Sequence, residues 1–153
     1  PGGPAAFEVH HHVSLLAIAF SLFHGLILLG DRFINTSLTG VLVPFAMESY
    51  RPAWVGFGQL GLYLSLLVTL TFYARKRLGG QRWRTIHLIS YLAFLFVMAH
   101  GIFSGTDTVS AWALWLYALT GISVFFLTIY RLLAPRLTHP ENSTNRLGNR
   151  ARL

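Results

Sequence analysis

The chain has 153 residues, of which 54% are hydrophobic and only 11% are charged. Soluble domains are nearer a quarter charged, so this composition indicates a membrane protein. The high apolar content excludes an intrinsically disordered chain, and the absence of cysteine excludes a disulfide-stabilised secreted module and a thiolate zinc site. The net charge of +7 does not predict nucleic-acid binding, because the basic residues flank long apolar segments instead of forming a stripe on a soluble fold.

Four segments free of Asp, Glu, Lys and Arg are each long enough to cross a hydrocarbon core of about 30 Å at about 1.5 Å per residue. They are residues 10–30, 53–74, 85–106 and 108–130. The predicted fold is therefore all-α, an integral membrane bundle of four transmembrane helices. We expect a transmembrane domain over residues 1–133 and a polar, basic tail over residues 134–153.

The basic residues predict the orientation of the bundle, because cytoplasmic loops carry an excess of Lys and Arg. The loop 75–84 has five, the segment from Arg131 onward has five, and the connection 31–52 has two. We therefore expect the 75–84 loop and the C-terminus to be cytoplasmic, in a bacterial inner membrane. Spans one and three then run in parallel from inside to outside. The outer connection 31–52 is long enough to form short structure of its own or to cover the bundle.

Histidine is concentrated in the two parallel spans. Six of the seven histidines lie in spans one and three or at the mouth of span one: His10, His11, His12, His24, His87 and His100. Spans two and four contain none. Ionisable side chains at membrane depth are costly and are functional by default.

The spacing of these histidines places them in pairs. His10 and His24 are 14 residues apart, a rise of about 21 Å, and lie within about 40° of the same helix face. His87 and His100 are 13 residues apart and would lie roughly 140° apart on an ideal helix, so a tilt, local unwinding or different rotamers must bring them together. In parallel spans, His10 shares its depth with His87, and His24 shares its depth with His100.

Two imidazoles that face each other at one depth form the axial ligand set of a six-coordinate haem, and helix bundles hold such cofactors in their cores. The two pairs therefore predict one or two haems. The ligand at the start of span one stays open among His10, His11 and His12. His11 matches the 13-residue interval of span three, whereas His10 has the better face geometry.

Other residues near these pairs are candidates for contact with the cofactor. His24 and His100 are each followed by glycine, which lets a flat ring approach the backbone. Arg84 near one pair and Arg51 near the other are candidates to bind haem propionates, although both are equally well explained as topology charges.

Three stretches of the chain resemble the ferric reductase-like transmembrane domain family, which includes ferric reductases, NADPH oxidases and the haem subunit of the bacterial methionine sulfoxide reductase system. The stretches are AFEVHHHVSLLAIAFSLFHG, SYRPAWVGFGQLGLYL and RWRTIHLISYLAFLFVMAHG followed by GTD, and the resemblance covers residues 6–133. It implies b-type haems held by His10 with His87 and by His24 with His100. Its 14-residue interval on the earlier helix favours His10 over His11.

The resemblance also implies electron flow from a cytoplasmic donor to an acceptor on the outer side. Family members commonly have a further helix before the first histidine helix, so that span is expected to be missing here or supplied by a neighbour. No G-x-G-x-x-G motif for a flavin or nicotinamide module is present. Any flavin is therefore expected on a partner, and the chain is expected to be an oxidoreductase subunit that needs a separate flavin- or quinone-linked donor.

Two other functions compete with this hypothesis. In a pigment-binding or accessory subunit of a respiratory or photosynthetic complex, each histidine would bind one magnesium pigment and would need no partner histidine. A structural subunit without a cofactor would function without the four histidines. The expected partners are the lipid bilayer, the electron donor and other membrane subunits, with no nucleic acid.

Overall fold

The computed structural model describes residues 3–137, and the side chains of residues 3–133. This part of the chain contains helices and no strand, so the predicted all-α class is confirmed. The helices are α1 (Pro4–Leu28), α2 (Leu38–Leu42), α3 (Pro52–Tyr73), α4 (Arg75–Leu78), α5 (Gly80–His87), α6 (Ile89–Ser104) and α7 (Ala111–Leu137).

Four helical segments are long and apolar enough to cross a membrane, as predicted: Pro4–Leu28, Pro52–Tyr73, Gly80–Ser104 and Ala111–Leu133. The protein is therefore an integral membrane protein. The first span begins six residues earlier than predicted, since Pro4 stands in the first helical turn, where its fixed φ and missing N–H favour helix initiation. Helix α7 continues to Leu137 and so enters the predicted tail, of which residues 138–153 lie outside the described part.

The described residues divide into two compact units, 3–108 and 109–137. The second unit contains α7. Within that helix the hydroxyls of Thr120 and Thr128 each donate a hydrogen bond of 2.7 Å to the carbonyl four residues earlier. These polar groups are thereby satisfied within the helix, as a lipid environment requires.

The first unit is built on close packing between α3 and α6. A Cβ atom at Gly61 of α3 would lie 2.6 Å from Val97 Cγ2 and 3.3 Å from the carbonyl oxygen of Ala93. Ala93 is itself only 4% exposed. Small residues at this crossing let the two backbones approach, which is how membrane helices associate.

We expect Gly61→Ala to lower stability by about 1–2 kcal/mol, because the added methyl group overpacks the α3–α6 contact. The matched control is Gly121→Ala, where a Cβ meets nothing within 4 Å. That change is expected to be neutral or to stabilise by up to about 1 kcal/mol through helix propensity. Thermal unfolding of both variants in the same detergent tests the prediction, and equal midpoints would contradict it.

Helix α1 stands apart from this packed pair. None of its residues is buried, and its contacts with α3 are few. The space between α1 and the α3–α6 pair is where the histidines of the first and third spans face each other.

The third span is interrupted at Leu88. The N–H of Leu88 bonds to the carbonyl of Thr85, and the N–H of Tyr91 bonds to the carbonyl of Leu88, both at 3.1 Å. These three-residue steps are those of a 3₁₀ turn, which advances about 120° per residue in place of about 100°. The interruption therefore reduces the angle of roughly 140° that an ideal helix leaves between His87 and His100.

Candidate functional site

The structure brings the four predicted histidines together in two pairs. The first pair is His10 and His87, whose ring centroids lie 6.1 Å apart with ring planes at 82°. The second pair is His24 and His100, whose centroids lie 6.3 Å apart with planes at 67°. In each pair one ring comes from α1 and the other from the third span, as the depth argument predicted.

The separations fit two histidines on opposite sides of one metal ion. A bond from a divalent metal to a histidine nitrogen is about 2.0–2.1 Å long, and the ring centroid lies about 1.2 Å behind that nitrogen, so two trans ligands place their centroids about 6.4 Å apart. Each ligand plane contains the metal–nitrogen axis, so steep angles between the two planes are compatible with this arrangement. The separations of both pairs are therefore compatible with one metal ion between the rings, and they are also those of two rings in edge-to-face contact.

One cavity of about 800 Å³ connects the two pairs. All four paired histidines line it, and most of its remaining wall is apolar, with side chains from α1, α2, α3 and α6. Its size and its apolar wall with few polar groups are typical of cofactor sites. The predicted ligands therefore lie at the wall of a space that suits a flat, largely apolar ring system.

His100 is held by its neighbours on α3. Its Nδ1 donates a hydrogen bond of 3.0 Å to the carbonyl oxygen of Trp54. That bond leaves Nε2 as the unprotonated nitrogen available to a metal, which is the usual arrangement of a ligating histidine. A Cβ at Gly58 would lie 2.6 Å from the Cγ and Nδ1 atoms of the same ring, so the absence of a side chain there gives His100 its place.

The three successive histidines of α1 have different surroundings. His10 lines the cavity opposite His87. His11 points elsewhere: its ring lies 5.3 Å from that of Phe72, and its Nε2 lies 3.4 Å from the hydroxyl of Tyr73. His12 donates from Nδ1 to the carbonyl of Glu8 on its own helix, at 2.8 Å. The geometry therefore favours His10 among the candidates left open by spacing.

The two candidate arginines do not line the cavity. Arg51 donates from Nη1 to the carbonyl oxygen of Phe103, and its guanidinium lies 5.5 Å from the ring centroid of Tyr50. Arg84 lies exposed on α5. The contacts of Arg51 anchor the connection between α1 and α3 to the C-terminal end of α6, and propionate binding by either arginine stays a prediction.

Two contacts of the site were not predicted from the sequence. Trp83 packs on His87, with ring centroids 5.2 Å apart and planes at 31°. Gln59 of α3 lines the cavity and bonds to the segment that contains α2. Gln59 is the one amide side chain in the second span, and an uncharged polar group at membrane depth is itself a signal of a specific partner.

Within residues 3–133, no group of three or more His, Cys, Asp or Glu side chains is placed to hold a metal ion.

Comparison of the chain with protein-family models, curated proteins and solved structures gave no match. The resemblance to the ferric reductase-like family stays a prediction that rests on the motifs quoted above.

Proposed function

We propose that the chain is a membrane cytochrome b subunit that relays electrons across the bilayer. The proposal rests on two histidine pairs that line a single cavity. The ring centroids lie 6.1 Å apart in the His10–His87 pair and 6.3 Å apart in the His24–His100 pair. His10 with His87 and His24 with His100 would each hold one b-type haem. A bound haem would supply a one-electron redox centre at each level.

The histidines and the groups that hold them define how such a subunit would transfer electrons. If two histidines hold each haem, the chain leaves no open site on the iron, and the bound group would supply electron transfer without binding a substrate. The hydrogen bond to the Trp54 carbonyl fixes the tautomer and orientation of His100.

Charge and topology support a direction of transfer. The five basic residues of the 75–84 loop lie next to the His10–His87 level, which we assign to the cytoplasmic side of a bacterial inner membrane. The donor is then a cytoplasmic flavin- or quinone-linked partner, and the acceptor lies beyond the His24–His100 level. Further membrane subunits would complete the assembly.

A haem count on the purified protein tests the proposal. We expect a reduced-minus-oxidised spectrum of the b type and about two haems per chain in the pyridine haemochrome assay. Folded protein without b-type absorption would contradict the proposal. Extraction of a magnesium pigment in place of haem would favour the pigment-binding alternative.

A further inference from the structure

A short segment covers the end of the cavity at the His24–His100 pair. We call residues 36–47 the cap; it contains α2 and joins α1 to α3. Four of its side chains line the cavity: Leu38, Val41, Leu42 and Met47. A Cβ at Gly25, the residue after His24, would lie 3.4 Å from Val41 Cγ1, so the cap reaches the backbone beside the histidine. Met47 is only 2% exposed.

Two side chains of α3 hold the cap in place. Gln59 Nε2 donates hydrogen bonds to the carbonyl oxygens of Gly40 at 2.6 Å and Val41 at 2.8 Å. One turn later on α3, the hydroxyl of Tyr63 donates to the carbonyl oxygen of Leu42. These three consecutive carbonyls lie in the last turn of α2, where a helix has no internal donors for them. We call Gln59 and Tyr63 the latch.

The backbone on the C-terminal side of α2 is strained. Asn35 has φ +46°, which asparagine adopts more readily than most residues, and Phe45 has φ +66°, which is rare and costly for a bulky side chain. Such a conformation at Phe45 persists only where surrounding contacts impose it. Residues that absorb unusual backbone angles at the ends of a segment are also where hinged loops turn. The latch therefore holds a segment whose C-terminal side is strained at Phe45.

We propose that the cap is a gate on acceptor access, and that Gln59 and Tyr63 determine which oxidants reach the His24–His100 pair. The cap belongs to a connection between two spans, so it separates the cavity from water and not from lipid. A water-soluble oxidant reaches the pair only when the cap opens. This inference rests on the proposed electron-relay function for its redox part, but the closed cap and its latch are independent of any cofactor.

The first test measures opening of the cap directly. The chain has no cysteine, so Met47→Cys gives a single thiol on the buried side of the cap. We expect slow reaction with a water-soluble maleimide in the purified full chain. Adding Gln59→Leu, which removes two hydrogen bonds, should speed labelling roughly tenfold, and Tyr63→Phe should speed it by less. Thr71→Val is the matched control, because its hydroxyl bonds within α3 at 2.8 Å and away from the cavity.

A second thiol distinguishes cap opening from general unfolding. Ser104→Cys lies at the C-terminal end of α6, where Ser104 is buried and does not line the cavity, and it should stay protected in the Gln59→Leu background. The Met47→Cys thiol would be labelled at the same rate with and without Gln59→Leu or Thr71→Val if the latch did not hold the cap. That result would overturn the proposal. Equal acceleration at both thiols would also overturn it.

The second test uses protein reduced with dithionite and mixed with ferric EDTA. We expect Gln59→Leu to speed re-oxidation roughly tenfold, because in the proposed relay the electrons of both haems leave through the His24–His100 pair that the cap covers. An unchanged re-oxidation rate in protein that carries haem would overturn gating. Accelerated thiol labelling in protein that lacks haem would support the latched cap and would contradict the proposed function instead.

Discussion

Replacement of His100 by alanine is expected to reduce the haem content from about two per chain to about one, because iron held by two histidines loses half of its axial protein ligands. His87→Ala should have the same effect on the other pair, and the double variant should carry no haem. The pyridine haemochrome count measures all three. Folded His100→Ala protein with undiminished haem would contradict the assignment.

The same variants separate haem from single-ligand pigments. A magnesium pigment on each histidine would leave the pigment at His24 in place when His100 is removed, so the loss would be one quarter of the total and not one half. The fractional loss therefore decides between the two classes of cofactor. The Thr71→Val protein, altered outside the cavity, should keep its full cofactor content.

Loss of a cofactor should also release α1. No residue of that helix is buried, and at the two histidine pairs it meets the third span, at His87 of α5 and His100 of α6. A ligand that binds only the folded arrangement stabilises it by mass action. We therefore expect the double histidine variant to be cut within α1 by protease in detergent faster than the parent protein.

The spans and the histidine pairing were predictable from the sequence because hydropathy and axial rise are local properties. Uncharged stretches of the required length give the four spans, and matched depth on parallel helices gives His10 with His87 and His24 with His100. The structure confirms the spans and brings these rings together. Only the angle of roughly 140° between His87 and His100 on an ideal third span required a departure from regular helix geometry.

The interruption at Leu88 and the cap were not predictable in the same way. An apolar run such as the third span shows no signal for a 3₁₀ turn, since the turn depends on how that helix packs against α3. The cap depends on hydrogen bonds between residues such as Gln59 and Gly40, which lie 19 positions apart. The sequence indicated only that the connection 31–52 was long enough to form structure or cover the bundle.

His10→Ala is expected to remove the haem of the first pair, whereas His11→Ala and His12→Ala are expected to keep it. The His10 ring lies 6.1 Å from that of His87 and lines the cavity, but the His11 ring packs on α3, and His12 bonds to its own helix. Because successive helical residues differ by about 100° in direction, a single rotation of α1 can direct only one of the three rings at His87.

The haem count and a redox titration of each variant test this assignment. His10→Ala should show one haem and a single midpoint potential, while the other two variants should show the parent's two components. His11→Ala serves as the matched control, since it removes the same ring one position away. Loss of haem from His11→Ala with retention in His10→Ala would mean that α1 is turned by one residue in the haem-bound protein, and would favour the 13-residue interval on both helices.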